Sequence, residues 1–225
     1  MSTSREIIFA RLRAALKHDK NPAGQAKLAA RLAARTRNTV PARTRGLDLD
    51  GRIALFSQFA RAVDATVEQL VSWSQIPQAT ANYLAHKNLA AKLVLADVDS
   101  LTGLDWAGRA LAVKTGAPGI DDQVSLTPVF AAIAETGTLM VTSGRQTPHT
   151  LNFTPETQIA AVRADQLVAT MEDGWDRLRD AYGPGVMPRA LCFITGPSRT
   201  ADINLTLYLG AHGPRNLHIL IIDGE

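Results

Sequence analysis

The stretch "QIAAVRADQLVATMEDGWDRLRDAYGPGVMPRALCFI", residues 158–194, decides the reading of the fold. It opens on a short apolar run, 158–162, and closes on another, 191–194. Between them Val168, Met171, Trp175, Leu178 and Ala181 recur at spacings of three and four, which gathers them on one face of a helix over 165–182. Strand, helix, strand is the unit from which a parallel sheet with helices on its faces is built.

The same grammar extends outward. Further apolar runs at 92–96, 110–113, 138–141 and 217–222 bring the candidate strands to six, each flanked by turn residues. A second helix is expected over 200–209, between the last two runs. Upstream, Phe56, Phe59, Ala60, Val63, Val67, Leu70 and Val71 recur at helical spacing, and Pro77 can open another helix that ends near Asn88. The body is therefore read as an α/β domain with a mostly parallel sheet.

The first fifty residues differ. Ser4 is placed to cap a helix in which Ile7, Ile8, Leu12, Ala15 and Leu16 form an apolar stripe, ending before Asn21-Pro22. An Ala/Arg/Lys-rich helix follows over 24–37, then a linker over 38–51 containing Pro41 and Gly46. Residues 1–52 hold twelve Lys and Arg against four acids, a net of +8 within a chain of +3, so the remainder carries −5. The expected organisation is a basic helical arm and linker, 1–51, joined to an α/β domain, 52–225. The arm lacks any recognition helix, aromatic platform or zinc-finger spacing, so an acidic protein surface suits it and nucleic acid is not the expected partner.

Composition removes other classes. A single cysteine, Cys192, rules out an internal disulfide and a multi-cysteine iron–sulfur or zinc cluster. It lies in an apolar run and is read as a structural thiol. His149, His212 and His218 pair neither at i, i+4 nor with a nearby cysteine in sequence, so no metal site and no cofactor is expected. The chain lacks both the serine elbow of lipase-like hydrolases and the glycine fingerprint of dinucleotide-binding folds. No segment approaches the ~18 apolar residues of a membrane span and no signal-peptide core is present, so a cytoplasmic location is expected.

Polar residues gather just after the apolar runs, where open α/β sheets bind ligands. After the 191–194 run come Thr195-Gly196-Pro197-Ser198-Arg199-Thr200, with Asp202 beyond. Either Ser198 or Thr200 only caps the expected helix, or the free N–H groups of its first turn join Arg199 in receiving a carboxylate or phosphate. These residues by themselves leave both open. Glu135 follows another apolar run, where a carboxylate can serve as base, nucleophile or clamp, or simply sit in a turn. Ser143 and Gly144 lie in a hydroxyl- and glycine-bearing loop able to cradle an anion, and His212 lies in a Gly-rich turn.

Read together, "AAIAETGTLMVTSG", "TGPSRTADI" and "LGAHGPRNLHILIID" resemble, in order, the LUD domain of the lactate-utilisation protein C family. The resemblance covers the chain from about Asp121 onward. It implies a three-layer α/β/α fold of the ribose-5-phosphate isomerase/CoA-transferase-like type. It also implies a non-redox, accessory component of a system oxidising L-lactate to pyruvate, beside a cysteine-rich protein and an iron–sulfur protein. On the matching motifs, Glu135 becomes the candidate catalytic residue. Ser198, Arg199, Thr200, Asp202 and His212, with Ser143 and Gly144, become candidates for binding a small organic anion. An independent enzyme acting on a carboxylate, phosphate or acyl-CoA, with Glu135 as base or acyl acceptor, is the alternative, and a purely structural adaptor is a third; whether the chain catalyses anything stays open.

Overall fold

A computed structural model describes residues 3–15, 22–37, 39–201 and 207–224. The chain divides into two compact units, Met1–Thr39 and Val40–Glu225. The first holds two helices, α1 (Ser4–Ala15) and α2 (Pro22–Ala34), and neither buries a residue. The cap of α1 is Thr3 rather than Ser4. The Thr3 hydroxyl accepts from the Glu6 N–H, while the Glu6 carboxylate takes the Thr3 N–H at 2.8 Å, a reciprocal box at the first turn.

In the second unit, α3 (Leu49–Ala62) leads into β1 (Thr66–Leu70), followed by α4 (Ile76–His86) and β2 (Lys92–Leu95). Asp48 caps α3 by accepting the Gly51 N–H at 2.8 Å. The helical period that the sequence suggests through Val71 breaks earlier, because Asp64 adopts a left-handed φ of 64° and the β-branched pair Thr66-Val67 joins a sheet. Next come α5 (Asp99–Thr102), β3 (Ala112–Thr115), β4 (Val124–Pro128), β5 (Ala131–Ile133), β6 (Thr138–Thr142), α6 (Thr150–Phe153) and β7 (Thr157–Arg163). The chain continues through β8 (Leu167–Val168), α7 (Met171–Tyr182), β9 (Leu191–Ile194), β10 (Arg199–Ala201), β11 (Leu207–Leu209) and β12 (Asn216–Ile222).

Six strands form a wholly parallel sheet in the order β1-β12-β7-β4-β2-β3. Side chains alternate across it, as the two-residue period demands. Leu220 and Ile222 of β12, with Ile159 and Ala161 of β7, face a layer built on α4, Leu101 and Leu151. Ile219 and Ile221, with Ala160 and Val162, face α3 and a smaller sheet. The fold is thus three-layered α/β/α. The smaller sheet, β8-β5-β6-β9, shares the second layer with α3, and α7 covers its outer face with Leu178 against Ala131, Ile133 and Met140.

All six apolar runs are strands, yet they do not all share one sheet. β9 lies antiparallel to β6 in the smaller sheet, so 158–194 is not a crossover between neighbouring parallel strands. The helix expected over 165–182 starts only at Met171, since β8 occupies Leu167 and Val168. The helix expected over 200–209 neither begins at Thr200 nor reaches Leu209, since β10 pairs antiparallel with β11, Thr200 opposite Tyr208; residues 202–206 lie outside the described ones. Glycines bracket this ribbon, Gly196 at φ 75° and Gly210 at φ 79°, and a Cβ at Gly196 would meet the Val63 carbonyl oxygen at 2.6 Å.

Candidate functional site

The loop after β9 and the turn before β12 meet at the amino-terminal edge of the parallel sheet, beside the starts of β7 and β12. There they enclose a pocket of about 410 Å³ lined by Asn152, Thr195, Ser198, Arg199, His212 and Gly213, among others. Three of the expected residues, Ser198, Arg199 and His212, are brought together. Ser198 is the hub. Its N–H donates to the Pro214 carbonyl at 2.8 Å and its carbonyl accepts the Gly210 N–H at 3.0 Å. Its hydroxyl accepts the His212 N–H at 3.3 Å, which leaves the hydroxyl proton free to point elsewhere.

Arg199 is held from outside the motif. Its Nη2 donates to the Val63 carbonyl at 3.0 Å and pairs with the Asp64 carboxylate, both at the end of α3. Any anion here must use the remaining donors of the guanidinium fork. Because β10 stands where the expected helix would begin, no helix starts at Ser198 or Thr200, and Thr200 stands within β10. Asp202 lies outside the described residues.

Glu135 does not line this pocket. It is buried, and its Oε1 accepts the Met171 N–H at 2.7 Å, satisfying a free donor at the start of α7. Its carbonyl accepts from Arg43, whose guanidinium lies 4.9 Å from the centre of the Phe59 ring. The threonines of the same motif are joined to one lining residue: Thr136 Oγ1 lies 2.7 Å from Thr138 Oγ1, which lies 2.8 Å from Thr195 Oγ1. Gly137 is required by packing, since at φ 64° a Cβ would stand 2.5 Å from the Ala60 nitrogen. Ser143 and Gly144 are elsewhere. The Ser143 hydroxyl accepts the Ala190 N–H at 3.0 Å, and the Gly144 N–H goes to the Thr147 carbonyl at 3.1 Å. Both bind their loop to the protein's own backbone.

Two groups escape a reading of the sequence. Beneath the pocket lies a buried amide network. Gln158 Nε2 donates to Asn152 Oδ1 at 2.7 Å and to Thr127 Oγ1 at 3.2 Å, and Thr127 donates to the same Asn152 oxygen at 3.0 Å. The signal is present as polar residues inside apolar strand runs, though only a register places them side by side. The second group joins a histidine to the single cysteine. His149 Nε2 lies 3.1 Å from Cys192 Sγ, 43 residues away, and burial holds the imidazole below its ordinary pKa. His218, by contrast, is a core residue: it stacks on Tyr83 at 4.1 Å, bonds Thr66 Oγ1 through Nδ1 at 2.8 Å, and desolvation pushes its pKa down to about 4. Among the described residues no group of three or more His, Cys, Asp and Glu side chains is placed to hold a metal ion. No described helix is long and apolar enough to cross a membrane.

Fold and site together define a three-layer α/β/α protein with a polar, motif-lined pocket at the amino-terminal edge of its parallel sheet. Residues 120–222 match the LUD domain family, which bears out the resemblance carried by the three motifs. It is 34% identical over 102 residues to lactate utilization protein C of Bacillus subtilis, covering 44% of this chain and 42% of that protein. It is 31% identical over 128 residues to lactate utilization protein C of Geobacillus thermodenitrificans, covering 52% and 53%. The chain thus spans about half or less of the length of the relatives it matches. In three dimensions it is similar to a crystal structure of a DUF162 family protein from Deinococcus radiodurans, with TM-score 0.57 and 23% identity over 78% of this chain and 99% of that one.

Proposed function

We propose that this chain is a non-redox component of an L-lactate oxidation system and holds a small organic anion in the motif pocket. The observation that carries the reading is the convergence of Ser198, Arg199 and His212, from two separate motifs, on one cavity of about 410 Å³. A cavity of that size suits a ligand of a few heavy atoms with water beside it. A guanidinium fork would supply much of the affinity for so small an anion. The names of the relatives, which speak of lactate utilization, support the choice of system.

With one cysteine, the chain has no ligand set for an iron–sulfur cluster, so electron transfer falls to partners: a cysteine-rich protein and an iron–sulfur protein. The basic arm is the natural segment to engage an acidic face of one of them. The alternative, an independent enzyme using Glu135 as base or acyl acceptor, draws no support from a carboxylate whose Oε1 is engaged by the α7 backbone.

Calorimetric titration with L-lactate, pyruvate and acetate tests the pocket. Arg199→Ala should weaken the anion that binds by about tenfold or more, the worth of one charge-assisted contact. Asp64→Asn should strengthen binding, because it releases the fork from its competitor. An affinity unmoved by both substitutions removes the anion from this pocket. Affinity purification from the host grown on L-lactate tests the partners, and a chain recovered alone after cross-linking overturns the accessory role.

A further inference from the structure

A second cavity is larger than the motif pocket. A cleft of about 720 Å³ opens at the opposite edge of the parallel sheet, beyond the carboxyl ends of β4, β7 and β12 at Pro128, Arg163 and Ile222. In open α/β sheets this is where ligands bind, because loops diverge there and the strand ends leave a crevice. The volume falls within the ~300–1,000 Å³ range of small-molecule sites. None of the candidate site residues Glu135, Ser143, Gly144, Ser198, Arg199 and His212 lines it.

Its chemistry differs from that of the motif pocket. The half-buried indole of Trp73, with Leu104 and Ile222, supplies apolar wall. Four charged residues stand around it: Asp99, Arg163, Asp165 and Asp223. Arg163 is used up internally, since its Nε donates to Asp165 Oδ1 at 3.0 Å and its Nη2 pairs with the other carboxylate oxygen. Asp99 and Asp223 find no side-chain partner among the described residues, and they leave the cleft with a surplus of negative charge. Such a surface repels phosphates and carboxylates. It accepts hydrogen bonds from hydroxyl groups, each ionised carboxylate offering two oxygens and no donor. The indole offers a flat face to an aromatic ring.

We infer that this carboxyl-edge cleft is a second binding site, for an uncharged ring-bearing polyol of the nucleoside type, its ring against Trp73 and its vicinal hydroxyls on Asp99 and Asp223. The site is independent of the anion pocket at the other edge of the sheet. It would let the protein hold two chemically unlike ligands at once.

The test is a titration of the full chain with adenosine, adenosine monophosphate, glucose and tryptamine, followed by calorimetry and ligand-observed NMR. Adenosine should bind, and the monophosphate should bind about tenfold more weakly, because its phosphate meets unpaired carboxylates. Trp73→Ala should weaken adenosine about tenfold while Trp73→Phe retains most of the affinity. Asp99→Asn with Asp223→Asn should erase the preference for adenosine over its monophosphate, with unfolding temperatures confirming that each variant folds. L-lactate in excess should not displace adenosine. No adenosine binding at millimolar concentration overturns the proposal. So does equal affinity for the monophosphate, equal binding of glucose, or binding of tryptamine alone, which would mark a plain cation site.

Discussion

His149 Nε2 and Cys192 Sγ stand 3.1 Å apart, one in the loop after β6 and the other on β9. Burial depresses the imidazole pKa, so the ring is neutral near pH 7 and able to take a proton from the thiol. The thiolate is the reactive form of cysteine. Alkylation of Cys192 by iodoacetamide at pH 7.5 should therefore slow in His149→Ala, which removes the proton acceptor beside the sulfur. An unchanged rate would mean that the contact only packs.

Glu135 separates a structural from a chemical role. Gln keeps an oxygen for the Met171 N–H, so Glu135→Gln should change stability by under about 1 kcal/mol, whereas Glu135→Ala should cost about 1–2 kcal/mol, the range for losing a helix cap. Urea unfolding measures both. If Glu135→Gln abolishes growth on L-lactate while leaving stability intact, the carboxylate acts chemically after all.

His218 sets a pH dependence. Its pKa is about 4 in the folded protein and ordinary, near 6.5, in the unfolded chain. Between those values the unfolded chain binds more protons, so stability is complete above about pH 6.5 and declines as the pH falls toward 4. The loss reaches up to about 3 kcal/mol. His218→Phe keeps a ring on Tyr83 and should flatten this part of the stability curve, as thermal unfolding between pH 4 and 7 would show.

Gly137→Ala should destabilise the protein by about 3 kcal/mol or more, since it combines a left-handed backbone with a steric collision. Its Cβ would press on the backbone of α3 at Phe59 and Ala60, neither of which can yield without shifting the helix. Gly46, also at positive φ but with nothing within 4 Å, should accept alanine at a cost of about 1 kcal/mol, the strain of the backbone alone. Denaturant midpoints for the two variants make the comparison.

Which parts of this were readable in sequence follows from range. The strands at 92–96, 158–162 and 217–222 announce themselves because burial on both faces makes a continuous apolar run, a local signal. Short strands such as β5 and β8 carry too few residues to show a period, and β1 was masked by a spacing that α3 had already begun. The ribbon at β10 looks helical when a capping residue is sought after every strand. Its pairing with β11 depends on partners several residues away and on two glycines that turn the chain. The site was half legible for the same reason. Ser198, Arg199 and His212 are announced by their motifs, while Asp64, Asn152 and Gln158, which hold or underlie them, are joined to them only by the fold. The rule that sends ligands to carboxyl strand ends points, in sequence, to the loops after β6 and β9. Those strands belong to the smaller mixed sheet, and the rule concerns the parallel one.

The order β1-β12-β7 has a consequence for how the molecule is made. β12, the last of the described strands, lies between β1 and β7, with Ile219 opposite Val67 on one side and Ala160 on the other. Until β12 has left the ribosome, β1 has no neighbour and the edge of β7 is open. The parallel sheet therefore cannot be completed before β12 is made and must wait for a contact between residues some 150 positions apart, which makes its formation slow and leaves apolar strand edges in need of protection until then.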